Sequence, residues 1–218
     1  MPAPATLIDG VQKLEPGCWL CVEANGTIEQ QRYWELQFGA QPGDEMFSAN
    51  EWRDQLLQHL LAAVRRRNVA AVDVGVLLSG GVDSSLLVGL LAEISPNGFQ
   101  TFSIGFDSVG EEKGDEFQYS DLIARKYETT HHRMHIPESR MLEALPSAIA
   151  AMNEPMVSHD CVAFYLLSQE VSRHCRVVQS GQGADEVFAG YHWYPPLVGS
   201  KDPVKSYRDA FFRHIFLL

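Results

Sequence analysis

Apolar residues recur along this chain in two rhythms. Residues 6–39 alternate short apolar runs with Gly, Pro and Asn, as in "LEPGCWLCVEANGTIEQQRYWEL". That rhythm predicts a β-hairpin or a sheet edge. "QPGDEMF" at 41–47 reads as a linker. From Ser48 the spacing becomes helical. "SANEWRDQLLQHLLAAVRRR" opens on a capping box, Ser48 with Glu51, and Leu56, Leu57, Leu60, Leu61 and Val64 follow at helical intervals. Three arginines close this helix, where positive charge suits the dipole.

Strand-like and helix-like segments then alternate. Strands are expected at 74–78 ("VGVLL"), 101–106 ("TFSIGF"), 131–136 ("HHRMHI") and 176–181 ("RVVQSG"). Helices are expected at 84–95, 117–127, 139–152 (with an interruption at Pro146) and 161–174. This order predicts an α/β fold, a doubly wound parallel sheet, with a short N-terminal β segment. Ligands of such sheets bind at the carboxyl ends of strands. Two glycine loops fall at such ends: "SGGVDSS" at 79–85 and "SGQGADEVFAGY" at 180–191.

A strand that turns through glycines into a helix aims backbone N–H groups outward, and the helix dipole adds positive potential. The first loop is therefore a candidate phosphate site. Gly80 and Gly81 would let phosphate approach the backbone, and Ser79, Ser84 and Ser85 offer hydroxyls. It is neither a Walker loop nor GxGxxG. Asp83 is repelled by phosphate unless a cation lies between, and Mg²⁺ meets that need. The alternative role for Asp83 is a cap on the helix at 84–95. The second loop repeats the pattern with Asp185 and Glu186, and two acidic glycine loops suit a metal-bound triphosphate.

Composition narrows the choice of partner. Lys and Arg number 17 against 28 Asp and Glu, a net charge of −11. Such a surface argues against a large nucleic-acid footprint. No apolar run reaches the roughly 20 residues of a membrane helix. The start, Met-Pro-Ala-Pro-Ala, does not read as a signal peptide. A cytoplasmic location is expected, with reduced thiols. Cys18 and Cys21 resemble half of a metal or redox motif, but on a strand residues three apart face opposite sides.

"LLSGGVDSS" resembles the pyrophosphate-loop signature of ATP pyrophosphatases. With "SGQGADEVFAGY" it is similar to the synthetase domain of the asparagine synthetase family. "GDEFQYSDLIARKY", "NEPMVSHDCVAFYLLSQEVS" and "SGQGADEVFAGYHWYPP" are most similar to the branch that amidates N-acetylglutaminylglutamine. The resemblance covers roughly residues 6–205. It implies a fold of the pyrophosphate-loop ATPase type, with 1–45 the end of a glutaminase-type β domain plus linker, 46–205 the synthetase domain and 206–218 a tail. It implies ATP and Mg²⁺, a small-molecule carboxylate substrate adenylated with release of pyrophosphate, and ammonia as the nitrogen donor. No nucleic-acid and no membrane partner is expected, from the charge and the apolar run lengths, and a homodimer is the assembly suggested by the full-length family. Ser79, Gly80, Gly81, Asp83 and Ser84 would hold pyrophosphate and magnesium. Asp185 would join Asp83 at the metal. Leu77 and Ile104 would flank adenine and ribose. Ser180 and Gly181 would complete the nucleotide site.

The chain departs from the family pattern in three ways. No cysteine precedes Cys18, so glutamine hydrolysis is not expected. Gln182 stands where asparagine synthetases usually carry glutamate; it joins Asp83 and Asp185 as a catalytic candidate, while weakening aspartate as the substrate. The family's downstream catalytic lysine is not reached before Leu218, and the apolar ending "AFFRHIFLL" reads as a truncation or frameshift. A nucleotide-binding fragment without chemistry, or another pyrophosphate-loop ATPase such as a tRNA-modifying one, are the competing readings. Lesser candidates are His131, His132 and His135, the acidic run 111–116, Asp121, Asn153, Glu154, Asp160 and the aromatic run "YHWYPP".

Overall fold

The computed structural model describes residues 2–37, 39, 42–107, 117–154 and 160–215. The acidic run 111–116 lies outside them. Near the N-terminus, β1 (Cys18–Val22) pairs antiparallel with β2 (Ile28–Arg32). Cys18 and Cys21 thus sit on opposite faces of a strand, as their spacing predicts. The segment read as a linker contains a single 3-10 turn, Asp44–Met46.

Helix α1 (Ala49–Arg67) starts at the predicted capping box. Ser48 Oγ accepts from the Glu51 N–H, and Glu51 Oε2 accepts from the Ser48 N–H at 2.7 Å. The Ser48 hydroxyl also donates to Glu51 Oε2 at 2.7 Å, and this bond, with the one from the Ser48 N–H, holds the Glu51 carboxyl below its ordinary pKa. Ser48→Ala removes the side-chain half of the box. We expect Tm to fall by about 2–4 °C, read by calorimetry, with the native fold retained.

The main sheet has four parallel strands, β3 (Val74–Leu77), β4 (Gln100–Phe106), β5 (Thr130–Ile136) and β6 (Val177–Gln179), in the order β5-β4-β3-β6. Helices α2 (Val82–Ile94), α3 (Phe117–Lys126), α4 (Glu138–Ala151) and α5 (Asp160–Val171) connect them. Side-chain alternation divides the core between the two faces. Val76 and Leu78 pack with Val64 of α1, Val88 and Leu91 of α2, and Ala124 of α3. Phe102 packs on the other side with Leu167 and Val171 of α5, joined by Leu77 and Ile104. Ile136, Ala148 and Val162 extend that side toward α4. Helices on both faces make the sheet doubly wound, as the alternation of elements predicts.

The strand order is the feature that builds a site. From β3 the chain moves outward through β4 to β5, then returns to place β6 on the other side of β3. Between β3 and β6 the winding reverses, and a crevice opens beyond their carboxyl ends. The loops after these two strands are the two glycine loops.

Several boundaries differ from the sequence reading. Helix α4 runs through Pro146 without a break; the proline is exposed, so the carbonyl it leaves unpaired can meet water. Helix α2 begins at Val82, with Gly81 as its N-cap, so Asp83 is in the first turn and does not cap. Asp121 is likewise inside α3, where it accepts from Arg133 at 3.1 Å. The histidines of β5 divide as alternation requires: His132 stacks on Phe102 at 4.9 Å, while His131 faces α3. The aromatic run 191–196 packs under α7 (Pro203–Ile215), with Trp193 edge-on to Phe211 at 5.4 Å.

Candidate active site

The site starts at the last residues of β3. Leu78 leaves the sheet, Ser79 turns, and Gly80 adopts φ +92°. Ser79 Oγ accepts from the Gly81 N–H at 3.2 Å and lies 3.0 Å from Ser84 Oγ. Ser84 in turn donates to the Gly81 carbonyl. These hydroxyl bonds shape the turn from within. Gly81 supplies no side-chain cap to α2. The first-turn amides therefore remain available to an anion, and the helix dipole favours one there.

The second loop copies this local chemistry. Ser180 Oγ accepts from the Gln182 N–H at 3.2 Å. Gly183, at φ +89°, then turns the chain into α6 (Ala184–Phe188), whose first turn carries Asp185 and Glu186. A left-handed Ala189 ends it, and the Gly190 N–H donates to the Asp185 carbonyl at 3.0 Å. Tyr191 donates its hydroxyl to Glu186 at 2.9 Å, and that bond pushes its pKa up to about 12. The Tyr191 phenol thus stays protonated and ties the loop's exit to α6.

The two loops touch. A β-carbon on Gly181 would lie 3.2 Å from Asp83 Cβ and 3.2 Å from the Ser84 nitrogen. A β-carbon on Gly190 would lie 2.0 Å from Asp185 Oδ1. Glycine at both positions leaves the two aspartates their places.

A cavity of about 600 Å³ opens where the loops meet. Of the residues expected at the site, Leu77, Ser79, Gly81, Asp83, Ser84, Ile104, Ser180, Gly181, Gln182 and Asp185 line it. Gly80 and Ser85 stand outside the lining. Gly80 backs onto α3, where a β-carbon would lie 2.6 Å from Tyr119 Cβ. Ser85 begins the helical ladder, its N–H bound to the Gly81 carbonyl at 3.0 Å. Asp160 lines the cavity as well, whereas Glu154 is held by Lys13 at 2.7 Å. That contact lowers the Glu154 pKa. Asn153 is exposed.

Sequence reasoning missed the far wall. Phe102, Ser103 and Phe106 of β4 and Ala163, Phe164 and Leu167 of α5, with Leu78 just past β3, complete the lining. One signal pointed there: Ile104 was already expected at the site, and β4 ends beside it. For α5 the mark is Asp160, its first residue, within the family-similar segment "NEPMVSHDCVAFYLLSQEVS".

The cavity has a polar end of loop hydroxyls, amides and the carboxylates of Asp83 and Asp185, an apolar wall of Leu77, Ile104, Phe102 and Phe164, and a third carboxylate, Asp160, from α5. That division matches a ligand with a polyanionic tail and a flat apolar head. No group of three or more His, Cys, Asp or Glu able to hold a metal occurs among the described residues. Two carboxylates beside a polyanion still fit magnesium, which keeps waters and takes phosphate oxygens as its other ligands. Among the described residues no helix is long and apolar enough to cross a membrane.

The chain is similar to known proteins. Asparagine synthetase (glutamine-hydrolyzing) 1 of Bacillus subtilis (strain 168) is 31% identical over 194 residues, which cover 89% of this chain and 29% of that protein. Putative asparagine synthetase (glutamine-hydrolyzing) 2 of Methanocaldococcus jannaschii is 32% identical, over 94% of this chain and 42% of its own length. The chain thus spans three to four tenths of the length of these relatives. Among solved structures, the NH3-dependent NAD synthetase from Campylobacter jejuni overlays with a TM-score of 0.43 at 12% identity, over 63% of this chain and 60% of that one. The sequence model of the asparagine synthase family matches residues 55–215, a span that holds both glycine loops and every strand of the parallel sheet. With more than half of its length so matched, the chain belongs to the asparagine synthase family.

Proposed function

We propose that this chain performs ATP-dependent amide formation: a small-molecule carboxylate is adenylated, and ammonia displaces AMP. One observation carries the reading. Two aspartate-bearing glycine loops meet across the switch point of a parallel sheet, at the uncapped start of a helix.

The chemistry balances in two steps. A substrate carboxylate oxygen attacks the α-phosphorus of ATP, and the bond to the bridging oxygen breaks with pyrophosphate leaving. Ammonia then attacks the acyl carbon, the acyl–phosphate bond breaks, AMP departs, and nitrogen loses a proton to solvent. In both steps charge gathers on a phosphate leaving group. The amides of Asp83 and Ser84, with the hydroxyls of Ser79 and Ser84, are the donors suited to pyrophosphate. Asp83 and Asp185 are the residues suited to hold magnesium, which when bound supplies Lewis-acid shielding of phosphate charge. Leu77 and Ile104 would sandwich the nucleoside. Gln182 lines the cavity as a neutral amide. It can donate to an acyl oxygen but cannot pair as a carboxylate with a substrate ammonium group. This favours a substrate without a free α-amine, such as N-acetylglutaminylglutamine, over aspartate.

The test is product analysis from MgATP and ammonium, with N-acetylglutaminylglutamine and aspartate supplied separately. Acceptor-dependent AMP and pyrophosphate in equal amounts support the reading and name the acceptor. ADP and phosphate instead would exclude adenylation. ATP bound without turnover would favour a nucleotide-binding role.

A further inference from the structure

Ser103 is 3% exposed and sits on β4, the strand beside β3. Its hydroxyl donates to the carbonyl of Leu78. Leu78 immediately precedes Ser79, and its N–H already binds the Phe102 carbonyl at 2.8 Å. On its other side the pairing of β3 with β6 reaches only to Val76. Both polar backbone groups of Leu78 are therefore held from β4. The departure of the first glycine loop depends on that grip.

Behind Ser103 lies His131, paired across the ladder with Thr101. Its Nδ1 is 2.8 Å from Thr101 Oγ1, and its Nε2 is 3.5 Å from Ser103 Oγ. Thr101 Oγ1 also lies 2.7 Å from Thr129 Oγ1. The tautomer follows from the network. The Ser103 proton is directed at Leu78, so Ser103 offers His131 only lone pairs. Nε2 must then carry the hydrogen, and Nδ1 accepts from Thr101, which accepts from Thr129. Donation runs one way, from Thr129 through Thr101, His131 and Ser103 to the Leu78 carbonyl.

We propose that Ser103 and His131 are positioning residues for the nucleotide site, and that the neutral imidazole holds the phosphate loop in register through the Leu78 carbonyl. The inference rests on the reading of residues 79–83 as a nucleotide-binding loop. It extends that site to a histidine outside the cavity lining.

Charge on the imidazole opposes this role. Asp121 Oδ1 lies 3.7 Å from Nε2 and would draw an imidazolium away from Ser103. The groups facing His131 are Asp121 and Arg125 of α3, Glu128 and Thr129 of the following turn, Arg133 on its own strand, and only hydroxyls on β4. Burial, helped by Arg133 and the neighbouring His132, outweighs the attraction of Asp121 and keeps the His131 pKa below its ordinary value of 6.5. The neutral form therefore prevails at pH 7 and gives way as pH falls below that range.

The experiment is MgATP titration by calorimetry of the wild type, Ser103→Ala, His131→Phe, their double mutant and His131→Gln, at pH 7.5 and 5.5, with Tm measured alongside. At pH 7.5 we expect Ser103→Ala and His131→Phe each to raise Kd about tenfold, and the double mutant no further, because both break one chain of bonds. His131→Gln, whose amide can replace the Nε2 donor, should recover most of the affinity. On acidification the wild type should lose more affinity than His131→Gln, which has no proton to gain. Affinities within about twofold of wild type in folded variants, with only Tm lowered, would overturn the proposal by showing a purely structural role. So would additive losses in the double mutant. If the wild type binds no MgATP, the nucleotide reading itself fails. If Asp83→Asn abolishes binding while the Ser103 and His131 variants keep it, that reading stands and this inference falls.

Discussion

Replacing Asp83 with asparagine should lower pyrophosphate release at least about a hundredfold while lowering Tm by no more than about 4 °C. Asp83 is exposed in the first turn of α2 and lines the cavity. Among the described residues it makes no side-chain hydrogen bond or ion pair, so its charge gives the fold only the modest interaction of a first-turn carboxylate with the helix dipole. The substitution keeps size and shape and removes only the negative charge. A carboxylate aimed at a phosphate site serves catalysis by holding a cation there, and an amide does this poorly. Asp185→Asn should behave alike. The double mutant should be little worse than either single one, since two ligands of one ion act as a unit. Steady-state pyrophosphate assays over a magnesium series check all three variants. Undiminished release from Asp83→Asn would remove Asp83 from the metal role.

Gly80→Ala should destabilise the chain by about 3 kcal/mol or more and abolish nucleotide binding. Two costs combine. At φ +92° a residue with a β-carbon is strained. That carbon would also lie 2.6 Å from Tyr119 Cβ and 2.8 Å from the Ser120 nitrogen, and backbone cannot swing aside as a long side chain can. Relief requires α3 to back away from the loop. Gly98→Ala is the control: φ is +76°, with nothing within 4 Å of the added carbon. It carries the strain alone, about 1 kcal/mol, and should leave binding intact. Urea midpoints followed by circular dichroism, with MgATP titration, separate the two. Equal losses at both positions would mean that the α3 contact contributes nothing.

Gly80 also shows how far the sequence could be read. Two adjacent glycines after a strand announce a loop that needs backbone freedom, and the motif alone assigns both to phosphate. Gly81 lines the cavity, while Gly80 has two further reasons to be glycine, its φ of +92° and the passage of α3 behind it. The spacing of a loop cannot reveal a contact with a helix some 40 residues onward. The histidines of β5 divide in the same way. Alternation put His131 and His132 on opposite faces, a local rule that held. That His131 meets Thr101 and Ser103 depends on the register of β4 against β5, which no periodicity encodes.

The order of strands and helices, the capping box at Ser48, and the two aspartate-bearing glycine loops follow from local pattern, because propensity, capping and alternation act over a few residues. The placing of β6 beside β3 does not, because strand order is a long-range choice among pairings of similar local energy. Yet that choice makes the crevice. It brings Gly181 against Asp83, turns α5 into the far wall, and leaves Ser103 to hold the strand end from which the first loop departs.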